Sequence, residues 1–250
     1  METLNSYSGL TLLKIIDRNT KAAAIFEKYK FDLGENGSKT IGQVCEEKGI
    51  LSDDVFRDLD GIADFKVEIP EKIDDWELDA IVDYIVDNHH KFVRTMIPVI
   101  STHTEKIALS HGKEHPEMVE VARIFSAVYK ELKQHMMKEE EILFPYIKYL
   151  VKVKKGEAKY EKPYFGRIGN PVNMMELEHQ SVGEEMYKIR KLLNNYSEPA
   201  NQFETYKIAV KELKEFEEDH LKHVHLENHL LFPKAVILEE QLLEIVNSYN

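Results

Sequence analysis

The 250-residue chain is poor in several things, and each shortage narrows what it can be. It has one cysteine, Cys45, so no internal disulfide is available. Proline and glycine number 8 and 11, which leaves long stretches free of helix breakers. No apolar run approaches the ~20 residues that span a bilayer. Met1 is followed by Glu2 and Thr3 rather than by a basic and then an apolar segment, so no secretory leader is expected either. Basic residues are in deficit: 33 Lys and Arg against 45 Asp and Glu give a formal net charge of −12, which disfavours nucleic acid and anionic membranes as partners. A glycine-rich phosphate loop, a C-x-x-C pair and a nucleophile motif are all missing, so kinase, disulfide-exchange and hydrolase readings have no support. These absences point to a cytoplasmic globular chain, long enough for a large domain and a small one.

Histidine, by contrast, is plentiful at 11 residues, and several of them fall on organised positions. Apolar residues repeat at three- and four-residue steps along most of the chain, and no strand series appears, so the fold class is all-α. At the N-terminus the pattern predicts a helix over Thr11 to Tyr29, an Asn36-Gly37 turn, a short helix from Thr40 to Gly49 and another from Ser52 to Gly61. Periodicity is lost from Ile62 to Glu71, which reads as a linker, and Asp74 with Glu77 three residues later is expected to cap the next helix. This divides the chain into a small helical N-terminal domain, 1–65, and a main domain, 72–250.

Four long helices follow, each with a polar residue inside its apolar stripe. The first carries Val82, Val86, His90, Val93 and Ile97; the second Val121, Phe125, Val128, Leu132, His135, Glu139 and Ile142. The third aligns Met175, His179, Val182, Met186 and Ile189; the fourth Leu213, Phe216, His220, His223, Glu227 and Leu230. The arrangement predicts an antiparallel four-helix bundle with a polar centre, a solvated crossover around 157–169 and a short closing helix after Pro233. His89 beside His90 has an apolar stripe of its own in Ile85, Phe92 and Met96, so spacing alone leaves the choice between the two open.

A duplication ties these polar positions together. His135-x-x-x-Glu139 leads to Leu143-Phe144-Pro145, and His223-x-x-x-Glu227 leads to Leu231-Phe232-Pro233, every matched pair being 88 residues apart. His90 and His179 are 89 apart. Residues i and i+4 share a helix face, so each H-x-x-x-E aims an imidazole and a carboxylate at one point. Four imidazoles and two carboxylates cannot sit unpaired in an apolar core, where each unmet polar group costs ~1–3 kcal/mol and a bare charge far more. Two divalent ions resolve that cost. Their +4 meets −2 from the glutamates, and a bridging oxo group or hydroxo groups would balance the rest. The nitrogen-and-oxygen donor set suits iron, with zinc or manganese as alternatives.

At these residues the chain resembles the hemerythrin-like di-iron proteins, and above all the iron–sulfur cluster repair (repair of iron centres) family. The carrying phrases are His135-Met-Met-Lys-Glu139-Glu-Glu-Ile-Leu-Phe-Pro145, Glu178-His179 and Leu226-Glu227-Asn228. The resemblance implies two iron ions held by His90, His135, Glu139, His179, His223 and Glu227. It selects His90 over His89 because the ligand lies eight residues before a proline, here Pro98. It also implies that Glu131 and Glu178 line the approach to the metals or support their ligands. The implied function is repair of iron–sulfur clusters after nitrosative or oxidative stress, by donating iron to damaged iron–sulfur proteins or by binding or reducing nitric oxide. The alternative is an oxygen or nitric oxide sensor or carrier of hemerythrin type, and a third reading is a redox-silent structural bundle. The family's N-terminal domain carries Asp-Phe-Cys-Cys-Gly-Gly where this chain has Asp32-Leu33-Gly34-Glu35-Asn36-Gly37, so thiol chemistry there is not expected.

Taken alone, other candidates read as packing or solvated positions. Cys45 reads as a core residue, His220 as packing because its repeat counterpart is Leu132, and His103, His111 and His115 as solvated; Met136, Met137, Met174 and Met175 read as bundle packing. The small core of the N-terminal domain suggests pairing between chains, giving a homodimer.

Overall fold

The computed structural model describes residues 7, 9–18, 22–60, 70, 72–197 and 203–248. Among these residues no strand is formed, and no helix is long and apolar enough to cross a membrane. The sequence-predicted linker falls almost wholly on 61–69 and 71, outside the described residues, as do 198–202.

The N-terminal helices are α1 (Leu12–Arg18), α2 (Ala22–Lys28), α3 (Leu33–Asn36), α4 (Ile41–Lys48) and α5 (Ser52–Asp60). The helix expected over Thr11 to Tyr29 is described as α1 and α2, with 19–21 outside the described residues. The α4 boundaries are those the sequence predicts: Thr40 and Gln43 form a reciprocal capping box, and Gly49 closes the helix at φ 65, where a residue without Cβ is unstrained. Cys45 is buried among Leu12, Phe26, Val44 and Leu59, and burial pushes its thiol upward in pKa, which agrees with packing rather than reactivity.

The long helices are α6 (Leu78–Ile85) running into α7 (Lys91–His111), α8 (Pro116–Lys138) into α9 (Phe144–Lys154), α10 (Gly169–Leu192), and α11 (Glu204–Leu226) into α12 (Phe232–Ser248). Their direction can be read from two apolar clusters. Along α6–α7 the chain passes from Ile81 and Ile85 in one cluster to Val93 and Ile97 in the other; along α8–α9 it returns, from Val128 and Leu132 to Phe144 and Ile147. The third helix goes out again, Met175 to Val182, and the fourth comes back, Phe216 to Leu226. The bundle is thus antiparallel, and the boundary between its clusters falls at a histidine on three of the helices and at Glu139, one turn after His135, on the second.

Two expectations are corrected. Asp74 does not cap the first long helix: it lies in a 3-10 turn, Ile73–Asp75, because Trp76 is extended and places its ring edge-on against Tyr84, and the helix begins after Glu77 without a side-chain cap. The closing segment is not a separate short helix but a 17-residue continuation of the fourth. Pro145 and Pro233 do not stop their helices because a π-turn directly precedes each of α9 and α12, loosening the backbone ladder where the ring would otherwise clash.

Candidate metal centre

Three π-turns interrupt the long helices, at Val86–His90, Glu139–Leu143 and Glu227–Leu231, and each contains one of the inward polar residues. An extra residue in a turn re-aims the side chains around it, which is why such turns gather at functional sites. His179, in contrast, projects from regular helix in α10.

The structure brings together all six sequence-predicted residues, in two groups of four that share both carboxylates: His90, Glu139, His223 and Glu227, and His135, Glu139, His179 and Glu227. All six are buried, His90, Glu139, His223 and Glu227 completely. Glu139 Oε2 lies 3.3 Å from both His90 Nε2 and His135 Nε2. Glu227 divides its oxygens, Oε1 at 2.9 Å from His223 Nε2 and Oε2 at 3.0 Å from His179 Nε2. Within the groups the imidazole Nε2 atoms approach to 3.2 Å (His90 and His223) and 2.9 Å (His135 and His179). Two nitrogens each ~2.1 Å from one ion at a right angle are ~3 Å apart, so these are separations a metal would set.

Hydrogen bonding points the same way. All four oxygens of Glu139 and Glu227 are buried and accept no hydrogen bond, an arrangement that is costly without a cation between the carboxylates. Behind the centre, three imidazoles turn Nδ1 to an acceptor: His90 to Glu140 at 2.6 Å, His135 to Glu178 at 3.0 Å and His179 to the Asn228 side-chain oxygen at 3.0 Å. A donating Nδ1 fixes the tautomer whose Nε2 lone pair faces inward, which is the metal-binding form. Glu140 is also held by Arg94 and Glu178 by Lys138.

Charge in the metal-free cluster follows. Burial opposes protonation of His90, but Glu139 and Glu140 outweigh it and raise its pKa to about 9; burial likewise opposes His135, which Glu139 and Glu178 carry to about 10. Burial and the second carboxylate would push Glu139 up, yet His135 and His90 hold it down at about 2. His223 goes the other way, lowered by burial and then by the charge on His90.

Of the remaining candidates, Glu178 supports His135, while no contact of Glu131 bears on the centre. His89 lies outside both groups; it bonds Asp219 at 3.0 Å and stacks on His223 with ring centroids 5.7 Å apart. His220 is buried on the same face, one turn before His223, and lines a cleft between α1, α10 and α11 that reaches His179 and Asn228. Met136 and Met175 are buried as expected, whereas Met137 and Met174 are half exposed, because they lie on the outer faces of α8 and α10. His103 and His115 are not simply solvated but pair with Glu212 and Glu117.

Sequence reasoning passed over Glu140, although the signal was present: the residue after each shared glutamate, Glu140 and Asn228, is related by the same 88-residue offset and has the same task. The Leu-Phe-Pro motif likewise has a structural reason. Phe144 stacks on His90 (5.6 Å, 19°) and Phe232 on His179 (6.2 Å, 3°), closing one end of the centre with an aromatic ring on each side.

Comparison with known proteins fits this arrangement. Residues 81–235 match the hemerythrin HHE cation binding domain, a span that contains both four-residue groups and all three π-turns. The chain is 29% identical over 218 residues to a probable iron–sulfur cluster repair protein of Haemophilus influenzae, covering 86% of this chain and 91% of that one. It is 27% identical over 219 residues to the iron–sulfur cluster repair protein YtfE of Yersinia pestis, with 86% and 91% covered. A duplicated His/Glu pattern, an antiparallel bundle folded around it and a matching span that encloses both place the chain in the hemerythrin HHE family.

Proposed function

We propose that the chain is a non-haem di-iron protein that restores iron–sulfur clusters damaged by nitrosative or oxidative stress. In this reading His90, His135, Glu139, His179, His223 and Glu227 bind two irons joined by an oxo or hydroxo group. Residues 72–250 form the iron domain and 1–65 a small domain packed beside it. The observation that carries the metal centre is that two four-donor groups share both of their otherwise unpartnered buried carboxylates. The repair function is supported by relatives named for it across most of their length. In this reading damaged iron–sulfur proteins are the clients and the activity is cytoplasmic.

When bound, the irons supply reversible one-electron chemistry and, with four protein donors each, open positions for nitric oxide or oxygen. The chain's own residues hold the donors in place. Glu140, Glu178 and Asn228 orient three imidazoles, Phe144 and Phe232 exclude water from one end, and the cleft reaching His179 admits a small molecule.

The test is iron content followed by repair. Wild type loaded with iron is expected to hold two per chain and to restore activity to a [4Fe–4S] dehydratase inactivated by nitric oxide; the His135→Ala, His223→Ala double variant should do neither. Two irons with no restoration, but with reversible uptake of oxygen over repeated cycles, would favour the carrier reading.

Proton release gives a second check. His90 and His135, raised to about 9 and 10, are both protonated at pH 7 in the metal-free chain. Their inward nitrogens must lose those protons to bind, and an oxo or hydroxo group formed from water adds one or two more, so filling the centre at pH 7 should release at least two protons. Affinity should then rise with pH until these groups titrate. Calorimetry in two buffers of different ionisation enthalpy measures the number, and release near zero would contradict the assignment.

A further inference from the structure

The duplication relates the two halves of the centre, and it fails at one point. An offset of 88 residues pairs His135 with His223, Glu139 with Glu227 and Glu140 with Asn228; an offset of 89 pairs His90 with His179 and His89 with Glu178. Glu140 and Asn228 do equivalent work, accepting from Nδ1 of His90 and His179. Glu178 accepts from Nδ1 of His135, so the residue in its place, His89, would be expected to serve His223. It does not. His89 directs its own Nδ1 to Asp219, and its ring lies over His223 at an interplanar angle of 6°. His223 Nδ1 is left buried with no partner.

One group, His135 with His179, therefore has an acceptor behind each imidazole, whereas the other, His90 with His223, has an acceptor behind only one. The bridging carboxylates are common to both groups and cannot compensate. Nor can the outer charges: Glu140 is shared with Arg94 just as Glu178 is shared with Lys138. An acceptor behind a ligating imidazole makes the opposite nitrogen more basic and fixes its ring, and losing it weakens metal affinity ~10–100-fold.

We propose that the two metal positions are unequal, the ion between His135 and His179 being retained and the ion between His90 and His223 being the exchangeable one. This rests on the di-iron reading and adds to it which iron is available for donation. The cleft that reaches His179 sets up the opposite order: if access rather than ligand strength governed exchange, the ion beside His179 would leave first.

The experiment uses the full chain loaded anaerobically with ferrous iron and challenged with a ferrous-selective chromogenic chelator. Two phases of one iron each are expected, with rates ~10-fold or more apart. Glu178→Gln, which weakens the acceptor behind His135, should accelerate the slow phase and leave the fast phase unchanged; Glu140→Gln should accelerate only the fast phase. Acceleration of the fast phase by Glu178→Gln, slowing of release by that variant, or a single phase for both irons would overturn the inference while leaving the di-iron reading intact. Loading that stops short of two irons overturns the di-iron reading itself. A cobalt(II) titration gives a second readout, free of the carboxylate variants. The visible spectrum of the first equivalent should be unchanged in His223→Ala and altered in His179→Ala, and the reverse pattern would refute the order.

Discussion

Glu139→Gln is expected to empty both metal positions at once, although it changes one atom. Glu139 Oε2 is equidistant, at 3.3 Å, from an imidazole of each four-residue group, and its carboxylate belongs to both. The amide keeps the shape but removes one of only two negative charges facing a combined +4, and it can turn an N–H donor toward a cation. Losing an acceptor behind the ligands costs ~10–100-fold in affinity, so losing a shared ligand should cost each ion ~100-fold or more. His179→Ala offers the contrast, since it removes a donor from one group alone and should leave about one iron per chain. Iron per chain after anaerobic loading and desalting separates the two outcomes. If Glu139→Gln retained one iron and His179→Ala none, the sharing of Glu139 would be wrong. The bundle itself should survive the glutamine: with Glu139 neutral, His90 and His135 shed their protons rather than remain as buried charges, and circular dichroism should show the helices unchanged.

Most of this centre is legible in the sequence. Burial forces periodic sequences to show their inward positions, and a histidine or glutamate in an apolar stripe is conspicuous because its cost must be met. The repeat then reduced six separate guesses to one pattern. What stayed hidden depended on backbone detail or on neighbours distant in sequence. Nothing in Val86–His90 or Glu139–Leu143 announces a π-turn, since the residues on either side are ordinary helix formers. The Asp74 cap failed because Asp-x-x-Glu describes a local possibility, whereas the contact of Trp76 with Tyr84 is tertiary. Spacing alone did not separate His89 from His90, and only the resemblance chose His90, because the partners that distinguish them, Asp219 and Glu140, come from other helices. Outer partners such as Glu140 are charged residues beside charged residues, which in a sequence with 45 acidic residues look like a solvated face.

Phe232→Ala should produce a large loss of stability, together with a change in metal exchange that stability alone would not give. Phe232 is 1% exposed, packs in one apolar cluster with Leu226, Leu231 and Ala235, and lies parallel to the His179 ring. Truncating a buried phenylalanine costs ~3–5 kcal/mol through lost transfer energy and the cavity left behind. At ~2–4 °C per kcal/mol for a chain of this size, the melting temperature should fall by about 10 °C. The cavity would open directly beneath a ligating imidazole, admitting water and freeing the ring to tilt, so iron exchange should quicken as well. Phe232→Leu separates the two effects. Leucine fills most of the volume and should recover most of the stability, but it has no flat face to hold His179, so exchange should remain faster than in wild type. Phe144, stacked on His90, offers the same comparison on the other half of the centre. Should the leucine variant recover stability and wild-type exchange together, the aromatic face would be filling space and nothing more. Should exchange stay fast in the leucine variant, the Leu-Phe-Pro motif supports the metal centre as well as the core, which is the physical reason for its appearance at equivalent positions of both repeats.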